Sequence, residues 1–284
     1  MSEWLYDNIG HREGGSQSHA KPPIWLATMS SNGVWYDWPL ILAYHSVSEI
    51  RKDTLAVWAV EFENQMAWLH CHGYRSITLA EFMSQTIEKG ERILIITFDD
   101  GYADNYTLAY PILKRYGFVA TIFLVSDYVN TDHFFSWDVP KIANQPDHTL
   151  YRLLTWEQVH EMSAYGIEFG SHTCTHPMQL TSLSKEQCWE EIARSRDDLE
   201  VRLGRKIVSF CYPRGDLNEE VIQMVKKANY DCAVVKPPRP GYPLCRYTLR
   251  RTGIYHNNTL LLFRLKITPF VRRNRERLGW LLWR

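Results

Sequence analysis

The chain has 284 residues, 45% apolar and 23% charged. Those ordinary globular values exclude disordered and fibrous classes and leave room for one large core or two small ones. The formal net charge is zero, so nothing pulls the whole molecule toward nucleic acid, and no nucleic-acid partner is expected. No run of roughly 18 apolar residues is present to span a bilayer.

Residues 1–38 are rich in Gly, Ser, His and Pro and read as a loosely ordered arm. The first ten are polar and acidic, so a secretory leader is not expected. Strand and helix signals then alternate. Residues 39–45, PLILAYH, read as a short buried strand ending in His45. Residues 54–72 carry Phe62, Met66 and Leu69 at helical spacing, and Gly73 closes that helix. Thr78-Leu79-Ala80-Glu81 is a capping box opening another. A strand at 93–98 leads into Asp99-Asp100-Gly101. A helix around 104–116 ends at Gly117, and a strand follows over 119–125. Residues 126–150 form a long connection carrying Phe134-Phe135-Ser136-Trp137-Asp138, and connections of that length are often functional. A helix from Thr155 to about Tyr165, a strand over 167–169, a helix from Ser184 to Leu203, a strand over 207–212, a helix over 218–229 and a strand over 232–235 complete the pattern.

Repeated β-then-α units argue for a parallel sheet or a barrel, and in both architectures ligands bind at the carboxyl ends of the strands. Four groups stand there: His45; Asp99 and Asp100; His172 and His176; and the turn Pro213-Arg214-Gly215. Two adjacent carboxylates ending an apolar strand are costly unless a cation offsets them. His172 and His176 are four apart, but Pro177 disfavours helical geometry at His176, so a loop is expected to present both rings. The zinc-protease pattern H-E-x-x-H fails, because position 173 is Thr. Two His and one carboxylate are nevertheless a common ligand set for a catalytic divalent metal. One aspartate can then bind the metal while the other stays free as a base, and Gly101 lets the chain turn sharply enough for both to reach the site.

The strings TFDDG, HTCTH and FCYPRG, in this order and preceded by LAYHSV, resemble the polysaccharide deacetylase family (the NodB-homology, carbohydrate esterase 4 group) over roughly residues 39–255. The resemblance implies an α/β fold of one domain, a distorted (β/α)7-type barrel. It implies a divalent metal, zinc first, with cobalt or another divalent ion as alternatives, held by Asp100, His172 and His176. Asp99 would be the general base, and the reaction would be removal of acetyl groups from an N-acetylated glycan, as a polymer, an oligosaccharide or a lipid-linked intermediate. Tyr212, Pro213 and Arg214 are the candidates for substrate and oxyanion contacts, through a backbone N–H near Arg214.

Two departures stand out. The late Leu-x-His of many members, source of the catalytic acid, has no clear copy; Ile254-Tyr255-His256 comes nearest. Cys211 stands where an arginine is common, leaving open what tunes Asp99. Both departures resemble a permuted branch acting on poly-N-acetylglucosamine, in which a histidine in a YH sequence supplies the acid; His45 matches it, with His256 in reserve. Alternative readings are an amidohydrolase of a small non-sugar amide and a non-catalytic glycan-binding protein on the same scaffold.

The domain reading is an arm over 1–38, a catalytic domain over 39–256 and a basic amphipathic segment over 257–284. Arginines interleaved with Leu, Phe and Trp give residues 259–284 a capacity for peripheral contact with an anionic membrane, and Pro269 interrupts any long helix there. Six cysteines lacking any C-x-x-C pair fit a reducing compartment. The expected location is therefore cytoplasmic, with membrane association through that segment. The oligomeric state is not read.

Overall fold

The computed structural model of the chain describes residues 39–85, 91–143, 147–236, 244–272 and 274. The arm over 1–38 and, in the basic C-terminal segment, residues 273 and 275–284 lie outside them. In chain order the elements are β1 (Leu40–Tyr44), β2 (Ser46–Ser48), β3 (Ala56–Trp58), α1 (Ala59–Cys71), β4 (Arg75–Ser76), α2 (Leu79–Ser84), β5 (Ile93–Phe98), α3 (Tyr110–Arg115) and β6 (Thr121–Leu124). After them come α4 (Val139–Ile142), α5 (Trp156–Tyr165), β7 (Glu168–Ser171), α6 (Lys185–Leu203), β8 (Ser209–Cys211), α7 (Glu219–Lys227), β9 (Cys232–Val235), β10 (Leu249–Arg250), β11 (Thr252–Gly253) and α8 (Leu260–Lys266).

The main sheet runs β10-β9-β8-β7-β6-β5-β1-β11, with β4 beside β5. Every ladder in it is parallel. Its two ends, β10 and β11, are separated along the chain by Arg251 alone, so one broken strand bridges both edges and nearly closes the sheet into a barrel. The staves are β1, β5, β6, β7, β8, β9 and this split segment, which is the expected (β/α)7 arrangement within a single domain.

Buried parallel strands need apolar residues on both faces, and β5 (ILIITF) is buried throughout. Its alternation sorts two cores. Ile93 and Ile95 join Ile41, Phe123, Cys211, Cys232, Val234 and Leu249, with Leu79 and Phe82 of α2 packed among them. Leu94, Ile96 and Phe98 face the other way, into the larger layer beneath the helices. Because strand side chains alternate, the parity of Ile41, Ile95 and Val234 carries on to His45, Asp99 and Lys236 just past the strand ends.

Helix starts follow their caps. Thr78, Thr155 and Ser184 each form a full capping box, and Gly166 and Gly204 end α5 and α6 in the left-handed region. The structure differs from expectation in two places. Residues 56–58, expected as the start of α1, pair with β2 as a small parallel sheet. The helix expected around 104–116 opens as a π-helical turn, Asn105–Ala109, before α3. Asn105 there is buried, and its Nδ2 donates to the His45 carbonyl. No described helix is long and apolar enough to cross a membrane.

Candidate active site

At the carboxyl ends of the strands lies an open cavity of about 570 Å³, lined among others by His45, Asp99, Asp100, His172, His176, Tyr212, Arg214 and Arg251. The volume is in the range that takes a small ligand or part of a polymer. All the expected site residues except Pro213 line it; Pro213 is buried at the start of the 3₁₀ turn over Pro213–Gly215.

Asp100 (φ 73°) and Gly101 (φ 72°) are both left-handed. Two such residues in succession turn the chain hard enough that Asp99 and Asp100 reach one site. Thr173 (φ 68°) and His176 (φ 55°) are left-handed too, and the turn is stitched by the Thr173 hydroxyl, which accepts from the His176 N–H at 3.0 Å. Strained non-glycine residues of this kind cluster at functional sites.

The donor set fits a divalent cation. Asp100 Oδ1 stands 3.5 Å from His172 Nε2 and 3.6 Å from His176 Nε2. Ligands around one tetrahedral cation at about 2.1 Å are about 3.4 Å apart. His172 Nδ1 lies 2.7 Å from the Cys211 carbonyl; donating its hydrogen there leaves the Nε2 lone pair facing Asp100, the usual way a metal-binding imidazole is oriented. His176 is buried, its Nδ1 has no hydrogen-bond partner among the described residues, and its ring packs 4.7 Å from Trp137. Trp137 in turn stacks on Phe135 at 4.4 Å. The long connection therefore supplies one wall of the cavity.

Asp99 is held differently. Arg251 grips it with two parallel bonds, Nη1 to Oδ1 at 2.6 Å and Nη2 to Oδ2 at 2.8 Å. Arg251 also donates to the Thr97 hydroxyl at 3.0 Å. Burial would raise the Asp99 pKa, but the guanidinium overrides it and holds the carboxyl well below the usual carboxylate range. Arg251 Nη2 lies 3.2 Å from Cys211 Sγ. The arginine missing at position 211 is thus replaced by one arriving from the seam between β10 and β11, a contact absent from the sequence reading.

His45 is buried, with Nε2 3.7 Å from Asp99 Oδ2. Burial pushes its pKa down to about 4, only partly opposed by Asp99 and Asp100, so it is neutral at neutral pH. His256, the reserve candidate, is not among the residues lining the cavity; its Nδ1 lies 3.0 Å from the Ala56 carbonyl and its ring 5.0 Å from Trp58. Tyr212 presents only backbone to the chemistry, because its ring is in the core against Phe210. Its N–H reaches the Val234 carbonyl at a long 3.4 Å.

The family model for polysaccharide deacetylase matches residues 86–233. A Bacillus subtilis protein, YxkH, carrying a polysaccharide deacetylase name, is 35% identical over 201 residues, covering 70% of this chain and 64% of its own. A Staphylococcus aureus poly-beta-1,6-N-acetyl-D-glucosamine N-deacetylase is 27% identical over 172 residues, covering 59% of this chain and 57% of its own. The chain therefore spans less than two thirds of the length of either relative. A Streptococcus pyogenes deacetylase solved in complex with acetate superposes with a TM-score of 0.66 at 24% identity, over 81% of this chain and 98% of that one; the likeness is one of fold.

Proposed function

This chain belongs to the polysaccharide deacetylase family, and from that premise we propose that it is a metal-dependent hydrolase that removes acetyl groups from N-acetylated sugars of a glycan. The observation that carries the reading is Asp100 facing two imidazole nitrogens at 3.5 and 3.6 Å, beside an Asp99 gripped by Arg251, on the wall of an open cavity. Asp100, His172 and His176 would hold the cation, zinc by the donor set of nitrogen and carboxylate oxygen. When bound, such a cation polarises an acetyl carbonyl and makes a neighbouring water more acidic.

The chain's own residues do the rest. Asp99, kept ionised by Arg251, accepts the proton of the attacking water. The water oxygen bonds to the acetyl carbon, and a backbone N–H near Arg214 would donate to the oxyanion, Pro213 having none and that of Tyr212 reaching Val234. His45 is neutral at rest, so it can donate only after taking a proton. Asp99 Oδ2, 3.7 Å away, is the source: the proton taken from water passes through His45 to the sugar nitrogen as the C–N bond breaks. Acetate and a free amine leave, and both side chains return to their starting states.

The name of the Staphylococcus relative supports an N-acetylglucosamine polymer as the kind of substrate. The six unpaired cysteines support a reducing, cytoplasmic setting. Exposed Leu261 and Leu265, four apart on α8 beside Arg264, with Phe270 exposed beyond them, support peripheral contact with an anionic bilayer. Co-sedimentation with phosphatidylglycerol vesicles but not phosphatidylcholine vesicles is expected, and sedimentation with neither, or equally with both, would remove that part of the reading.

The test of the main reading is acetate release from a panel of neutral and acidic N-acetylated oligosaccharides by zinc-loaded protein, with and without chelator. Release that stops on chelation and returns with metal upholds it. Release that is indifferent to chelation, or none from any glycan with metal bound, overturns it.

A further inference from the structure

Five charged side chains of the cavity are accounted for by their partners. Arg251 answers Asp99. The two imidazoles face Asp100. Asp216 Oδ2 accepts from both the N–H and the hydroxyl of Thr181 at 2.8 Å. Lys141 is paired with Asp138 at 2.8 Å. Two cations lining the same cavity are left, Arg214 and Lys236. Among the described residues neither makes a hydrogen bond or an ion pair.

Both sit directly past the carboxyl ends of neighbouring strands, Arg214 after β8 and Lys236 after β9. They belong to one piece of structure: a Cβ placed on Gly215 would come within 3.1 Å of Lys236 Cβ, so the glycine next to Arg214 lets the two segments touch. Arg214 is held at φ 57°, a left-handed conformation that a non-glycine residue keeps only when the surrounding turn imposes it. It is exposed and Lys236 half-buried, so both heads can reach a ligand in the cavity.

A neutral acetamido glycan offers hydroxyls and amides, which need no full positive charges. A pair of unanswered cations beside a hydrolytic centre is what a carboxylate or phosphate calls for, through charge-assisted hydrogen bonds. We propose that Arg214 and Lys236 form an anion subsite, and that the preferred substrate carries an acidic group, carboxylate or phosphate, on or next to the N-acetylated sugar. This inference rests on the deacetylase reading and narrows its substrate class from glycans in general to acidic ones.

The experiment compares three probes with zinc-loaded protein: neutral di-N-acetylchitobiose, a uronate-containing N-acetylated disaccharide and N-acetylglucosamine 1-phosphate. The wild type is expected to prefer an acidic probe over the neutral one by about tenfold or more in kcat/KM, and the better acidic probe identifies carboxylate or phosphate as the source. In Lys236→Gln and Arg214→Gln that preference should collapse, chiefly through KM, and Lys236→Arg should keep it. Thermal melts matching the wild type exclude a folding defect in these partly exposed positions. Equal use of neutral and acidic probes, or a preference that survives in both variants, overturns the subsite while leaving the deacetylase reading intact. If no probe releases acetate, the deacetylase reading fails instead, and calorimetry on metal-free protein decides the subsite. Binding of an acidic probe that is lost in Lys236→Gln upholds it, and no binding, or binding unchanged by the substitution, overturns it.

Discussion

Among the described residues two arginines are almost completely buried, Arg251 and Arg51, and they use their charge in opposite ways. Arg251 spends both Nη atoms on one carboxylate, Asp99. Arg51 is shared among three. It contacts Asp53 at 2.9 Å and Asp104 and Asp138 at 3.9 Å each, and it is sandwiched between Tyr102 at 4.6 Å and Tyr151 at 4.3 Å. Asp138 also accepts from the Tyr102 hydroxyl at 2.6 Å, and Tyr102 O accepts from Trp137 Nε1 at 3.2 Å. The first arginine keeps the Asp99 carboxyl ionised. The second ties the long connection over 126–153, with its Trp137 wall, to the strand ends. A buried guanidinium is costly in either role and persists only because its partners are fixed around it.

The sharpest way to break the comparison is to remove the group on which the chemistry depends. Asp99→Asn is expected to lower acetate release by roughly a hundredfold to ten-thousandfold, the range ascribed to general acid–base catalysis, while the protein still takes up metal. Next come the arginines. Arg251→Met and Arg51→Met should each lower stability by about 3–5 kcal/mol at neutral pH, because each strands buried carboxylate. Denaturant unfolding of a double-mutant series separates them. Adding Asp99→Asn should restore most of what Arg251→Met loses, since one pair is involved. No single Asp→Asn change should restore Arg51→Met. Equal rescue in both would show that the two sites are built alike.

The acid limb adds a check on sign. Asp99 is held below its unfolded value of about 3.9, so its pair with Arg251 contributes stability above that pH and loses it on acidification. The gap between wild type and Arg251→Met should therefore be widest near neutrality and narrow below about pH 4. Asp104 behaves in the reverse sense. Burial raises its pKa to about 6, against partial opposition from Arg51 and Ser46. A raised carboxyl stabilises the fold below its unfolded pKa and loses that contribution as pH climbs through the folded one. Between about pH 4 and 6, Asp104→Asn should gain on the wild type by up to roughly 3 kcal/mol, read from urea midpoints across that range. The smallest effect is expected far from both arginines. Ser184→Ala removes the cap of α6 and should cost about 1 kcal/mol, a few degrees of Tm at most, with kcat unmoved.

The same contrast separates what was legible in the sequence from what was not. The core of the site was legible because it is local: TFDDG and HTCTH each follow an apolar strand, and strand alternation carries His45 and Asp99 onto the inward face. The capping box at Thr78 marked α2, and the helix starts read at Thr155 and Ser184 fall within a residue of α5 and α6. Arg251 was not legible. It lies 152 residues from Asp99, in a Leu-Arg-Arg-Thr-Gly stretch where nothing local tells which of two adjacent arginines turns inward. Its role appears only when β10 and β11 are seen to join the two ends of the sheet. Arg51 was equally hidden, since a lone arginine after a short strand reads as a surface charge. The strand over 56–58 was taken into the helix because three apolar residues fit either period, and only pairing with β2 decides. His256 came nearest to the late Leu-x-His that the resemblance implies, and the fold turns it toward the Ala56 carbonyl instead.

The most direct test of the central claim is divalent-metal titration of the purified chain, followed by calorimetry and by metal content after gel filtration, in wild type, Asp99→Asn and Asp100→Ala. The account predicts one tightly held ion per chain in the wild type and in Asp99→Asn, and its loss in Asp100→Ala. Retention of the ion in Asp100→Ala, or its loss in Asp99→Asn, would contradict the division of labour between the two aspartates on which the proposed chemistry rests.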